Sequence, residues 1–104
     1  MLQAQQLTIS QAINAYLASV TDSRSVNTSR TYRNAMKSFV SILLDNKVEA
    51  DSTGIHNLSE DSVAWMASGL RSYSPATERL YLTALTGFFE YLAAERLLDV
   101  NLPR

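Results

Sequence analysis

Four cations sit close together in "SRSVNTSRTYRNAMKSF", Ser23 to Phe39: Arg24, Arg30, Arg33 and Lys37, with no acid between Asp22 and Asp45. Around them are Asn27, Thr28, Ser29, Thr31 and Asn34, short side chains able to reach phosphates or base edges. That is chemistry for an anionic polymer. A second stretch, "SYSPATERLYLT", repeats it with Ser72, Ser74, Thr77 and Arg79. If both open helices, their N-terminal N–H groups add to the attraction for phosphate. Two polar, basic helix starts in one small domain predict a clamp on a duplex. The competing reading is a solvated helix face whose charges meet only water.

Catalytic patterns are thin. His56 is the only histidine and there is no cysteine, so metal-ligand spacing and thiolate chemistry are both missing. His56 is read as a loop or partly buried structural residue. Gly54, Gly69 and Gly87 are too far apart for a phosphate loop. Glu60 and Asp61 are adjacent, so a helix splays them; they read as partners of a helix dipole. The tyrosines raise the question of a nucleophile, but Tyr16, Tyr32, Tyr81 and Tyr91 fall at or beside core spacing, with no Arg/His cluster around any of them.

The elements that must position these residues are helices. The chain has 104 residues, 46% of them apolar and 18% charged, which fits one domain spanning 1–104. Three Gly and two Pro signal few turns. A net charge of −1 and a pI near 5.7 mean that nucleic acid would be held by a local patch, not by overall charge. The start, "MLQAQQLTIS", has no basic region followed by a long apolar run, and no stretch approaches the roughly 20 apolar residues of a membrane span. A cytoplasmic protein without membrane contact is the expectation.

Four helices are predicted. The first has Thr8 as N-cap with Gln11 at capping-box spacing, then Ile9, Ile13, Tyr16, Leu17 and Val20 inward. Asp22 to Ser25 is read as a polar connection. The second starts near Asn27, with Ser25 as an alternative cap, and carries an apolar stripe of Tyr32, Met36, Phe39, Val40 and Leu43. It ends near Asp45, and "DNKVEADSTG" is read as a surface loop. The third is capped by Ser59, with Leu58 and Val63 at staple spacing and Met66, Ala67 and Leu70 inward. The fourth has Ser74 as N-cap and Pro75 as first residue, with Tyr81, Leu82, Leu85, Phe88, Phe89 and Leu92 on one face. Gly87 within it implies a close helix–helix approach. The result is an all-α, compact four-helix bundle.

"NTSRTYRNAMKSFVSILL" resembles the second helix of the N-terminal core-binding domain of tyrosine recombinases, the phage integrase family: Thr28, then Tyr32, Arg33 and Phe39. "LTISQAINAYLASV" looks like the family's first helix, and "GIHNLSEDSVAWMASGL" like its turn into the third. "SPATERLYLTALTGFFEYLAAERLLDVNLPR" resembles its fourth helix and exit to a following domain, with Leu102 inserted between Asn101 and Pro103. The resemblance runs from about Leu7 to Arg104.

It implies a SAM-like bundle that grips one face of double-stranded DNA while a C-terminal catalytic domain, absent from this chain, grips the other. By position, Asn27, Thr28 and Thr31 match the groove-facing start of the second helix, and Thr77 and Arg79 that of the fourth. Arg30, Arg33 and Lys37 would meet phosphates, with Arg24, Asn34 and Ser74 beside them. The family's chemistry needs an Arg, a His-x-x-Arg pair and a Tyr nucleophile in the second domain; His56 is followed by "NLS". The chain is therefore expected to bind DNA, not cut it, with no cofactor. Its expected partners are duplex DNA, the parent's catalytic domain and neighbouring recombinase protomers. The alternatives are a helical protein–protein interaction module and, behind it, a free-standing enzyme.

Overall fold

The computed structural model describes residues 7–95. Four helices, α1 (Ile9–Ser23), α2 (Val26–Asp45), α3 (Glu60–Gly69) and α4 (Pro75–Ala94), account for most of that span. The family-like exit at residues 101–104 lies outside it.

Each helix begins on a side chain that satisfies an N–H the helix cannot. Thr8 Oγ1 accepts from the Gln11 amide at 3.1 Å, and Gln11 Oε1 accepts from the Thr8 amide at 3.0 Å, a reciprocal capping box. Ser59 caps α3 by accepting from the Asp61 amide at 3.2 Å, and the Ser62 hydroxyl reaches back to the Ser59 amide. Ser25, the alternative cap, caps α2, which starts at Val26, one residue ahead of the predicted Asn27. The predicted connection from Asp22 to Ser25 shrinks to Arg24 and Ser25. α1 runs through Ser23, whose hydroxyl donates to the Ser19 carbonyl one turn back at 2.9 Å.

α2 ends in a Schellman closure. Val48 N–H reaches Leu43 O at 2.8 Å and Lys47 N–H reaches Leu44 O at 2.9 Å. Lys47 takes the left-handed conformation, φ 68°, where glycine is usual.

The segment after it differs from the predicted surface loop. Ala50 and Ile55 are buried, and Val48 packs on the core. The carbonyls of Thr53 and Ala50 accept from the amides of Ile9 and Ser10 at 2.8 and 3.0 Å. Ile55 N–H bonds Leu7 O at 3.0 Å, and the Ser10 hydroxyl donates to Asp51 at 2.5 Å. The segment thus supplies acceptors for the first turn of α1, and a short 3-10 turn, Ile55–Asn57, leads on to α3.

The core is aromatic. Phe39 and Phe88 are fully buried with ring centres 6.3 Å apart, and Phe89 lies 5.6 Å from Phe88. Tyr16 of α1 sits 5.5 Å from Phe88 and 5.6 Å from Tyr91. Its hydroxyl donates to the Ala84 carbonyl of α4 at 2.9 Å, inside the core. Gly87 is one turn along, and a Cβ there would lie 2.5 Å from Tyr16 Oη. The close approach predicted from Gly87 is thus the seat of a tyrosine. Gly87→Ala gains about 1 kcal/mol of helix propensity. It also displaces a hydroxyl whose bond holds it in place, at a cost of about 1–3 kcal/mol for an unsatisfied buried group plus a similar overpacking term. The variant is expected to be less stable than wild type in urea melts; an unchanged or raised midpoint would show that Tyr16 yields freely.

Candidate nucleic-acid interface

Helical spacing sorts α2 into three faces. Ala35, Met36, Phe39 and Leu43 are buried against the other helices. Arg30, Arg33 and Lys37, three and four residues apart, form an exposed basic stripe, and Asn27, Thr31, Asn34 and Ser38 form a polar stripe beside it. Arg30 Nη1 donates to Asn27 Oδ1 at 3.2 Å, so its nearest side-chain partner is neutral. Thr31 Oγ1 donates to the Asn27 carbonyl at 3.1 Å.

The starts of α2 and α4 are built alike. Ser25 Oγ accepts from the Thr28 amide at 3.2 Å and donates to Thr28 Oγ1 at 3.0 Å. Ser74 and Thr77 repeat both contacts at 3.2 and 3.0 Å. Thr28 and Thr77 are half-buried parts of their caps, each keeping its own hydroxyl proton free to donate. Ser74 is exposed at its cap.

Arg24, exposed at the joint between α1 and α2, links the two starts. Together with Arg79, Tyr32, Thr83 and Thr86 it lines a concavity of about 400 Å³ between α2 and α4, to which Glu90 also contributes. On its other side it shares a smaller pocket of about 150 Å³ with Arg30, Arg33 and Ser29. Arg33 and Lys37 then edge an apolar groove between α1 and α2. The cations of α2 and Arg79 of α4 therefore form a continuous series through Arg24. Asn27, Thr31, Asn34, Ser74 and Thr77 line none of these three hollows. Thr83 and Thr86 escaped the sequence reading, although they stand four and seven residues after Arg79, on one helical face.

The tyrosines are built for packing. Burial pushes the Tyr16 hydroxyl above its ordinary range, with Tyr32 adding to the effect and Arg24 opposing it. Burial, then Glu95, raises Tyr91 as well. A nucleophile needs the opposite shift. Because Tyr16 is held neutral, the stability it brings is present below the ordinary tyrosine range near pH ~10. That stability falls away as pH rises beyond it. Tyr73 is exposed, lies 5.8 Å from Tyr81 and has its hydroxyl 3.5 Å from Ser38. His56 is exposed in the 3-10 turn. Among the described residues no group of three or more His, Asp or Glu is placed to hold a metal, and no helix is long and apolar enough to cross a membrane.

The family model described as phage integrase, N-terminal SAM-like domain, matches residues 13–96. No curated protein and no solved structure matches the chain.

Proposed function

Because the chain belongs to the phage integrase N-terminal SAM-like domain family, we propose that it is the DNA-gripping domain of a tyrosine recombinase. The starts of α2 and α4 face the duplex. Arg24, Arg30, Arg33, Lys37 and Arg79 meet phosphates, while Asn27, Thr31 and Asn34 reach toward the groove. Thr28, Ser74 and Thr77 shape the helix starts, and Thr28 and Thr77 offer hydroxyl protons to the backbone. One observation carries this reading: cations from two separate helices converge around Arg24, in a segment with no acid between Asp22 and Asp45. Glu90 faces the Arg24–Arg79 side of this array, whereas the hollow shared by Arg24, Arg30 and Arg33 is lined by no acid, and like charges gathered there repel one another. A phosphate backbone rewards the gathering.

The domain binds without cutting. Strand exchange through a phosphotyrosine belongs to a catalytic domain of the parent protein, with neighbouring protomers as further partners on DNA and the cytoplasm as the place of action. With a net charge of −1, the isolated domain binds weakly, within the range of roughly 10⁻⁴ to 10⁻⁶ M usual for non-specific contacts. The test is a titration with a short duplex at low and raised salt, read residue by residue. Salt-sensitive binding at the starts of α2 and α4 supports the reading. Self-association with no response to duplex would favour an interaction module instead.

A further inference from the structure

Ser29 is buried to 6% exposure in the first turns of α2, and its Oγ has no hydrogen-bond partner. Buried polar atoms are nearly always paired, so an orphan calls for a reason. Ser29 lines the small pocket of about 150 Å³ at the α1–α2 corner together with Arg24, Arg30, Arg33, Thr21 and Val26. Three arginines, a spare hydroxyl and the opening turn of a 20-residue helix share one concavity. None of the lining residues is acidic. Cations, a neutral donor and a helix N-terminus together suit a tetrahedral oxyanion.

We propose that this pocket is a seat for a single phosphate group, with Ser29 Oγ donating to it and Arg24, Arg30 and Arg33 enclosing it. The seat deepens the duplex-binding reading and rests on it for the phosphate's source, a backbone phosphodiester. It gives the domain one fixed point from which the rest of the duplex is registered. Ser29 Oγ is shut from solvent in the free chain, so engagement needs movement of the exposed arginines on the rim. Rotamer changes of such side chains are fast.

The test compares wild type with Ser29→Ala, which removes one oxygen, and with Arg24→Gln at an exposed position. Each is titrated with sodium phosphate against sodium chloride at equal ionic strength, followed by NMR of the Ser29 amide and the arginine Nε–H groups. Phosphate is expected to shift these signals saturably in wild type where chloride does not. Ser29→Ala weakens that binding roughly tenfold, the scale of one hydrogen bond to a charged group. It also raises the melting temperature without phosphate, because the unpaired hydroxyl is gone. Arg24→Gln weakens the binding without that rise. Equal responses to phosphate and chloride, or unchanged affinity in Ser29→Ala, overturn the seat. A duplex arm separates the sources. Duplex shifts at Ser29 that phosphate competes away assign the backbone. Phosphate binding with Ser29 unmoved by duplex keeps the seat and assigns it to free phosphate. Duplex binding elsewhere with no phosphate response removes the seat and leaves the duplex reading standing.

Discussion

Replacing Arg30 and Arg33 together with Glu is expected to abolish measurable duplex binding while leaving helical content unchanged. Both side chains are exposed on the basic stripe of α2. The exchange removes two phosphate contacts and sets two carboxylates against the backbone in their place. Each lost contact also removes a released counterion, so the salt dependence flattens as affinity falls. At low salt the loss is expected to be on the order of 10²-fold or more, which takes a weak binder out of reach. The fold has little stake in these residues. Surface changes of this kind usually move stability by less than about 0.5 kcal/mol. Fluorescence anisotropy with a labelled duplex measures the binding, and circular dichroism checks the helices. Wild-type affinity in the double variant would show that the stripe faces water only.

Phe88→Ala is the complementary experiment, expected to destabilise the domain strongly without touching a cation. Phe88 is fully buried and meets Tyr16, Phe39 and Phe89, so its ring joins α1 and α2 to α4. Truncating such a ring costs about 3–5 kcal/mol through lost burial and the cavity left behind. The whole stability of a small domain is of the order of 5–15 kcal/mol. The predicted outcome is a thermal midpoint lowered by tens of degrees or a loss of cooperative melting. A midpoint within a few degrees of wild type would mean that the aromatic cluster does not hold the bundle together. Together the two variants separate the residues that make the platform from those that use it.

How far the sequence carried depends on the range of each interaction. The caps at Thr8, Ser59 and Ser74 and the proline opening α4 were readable because they act within one turn. So was the tight contact at Gly87, although its partner, Tyr16, lies 71 positions away in the chain and only the fold reveals it. The Schellman end of α2 was hidden because Lys47 stands where glycine would have announced it. The segment after α2 looked like a plain loop because its role is to pair with the start of α1, some 40 residues earlier, and such pairing leaves no periodic trace.

The candidate site divides the same way. The basic stripe and the two polar helix starts were visible as residue types and spacings. The place of Arg24 between Arg79 on one side and Arg30 and Arg33 on the other was not, since it depends on how α2 and α4 pack. Ser29 left a signal that was passed over: counting back seven residues from Met36 lands on it, so it lies on the buried face, not the polar one.

The most direct test is a two-dimensional NMR titration of the isotope-labelled domain with a short duplex of arbitrary sequence, at low salt and again at higher salt. Shifts concentrated in residues 24–37 and 72–79, fading as salt rises, are the predicted result. They would mean that the charge gathered at the starts of α2 and α4 exists to meet phosphate. A spectrum left unchanged by duplex at low salt, from a folded and monomeric sample, would contradict the account.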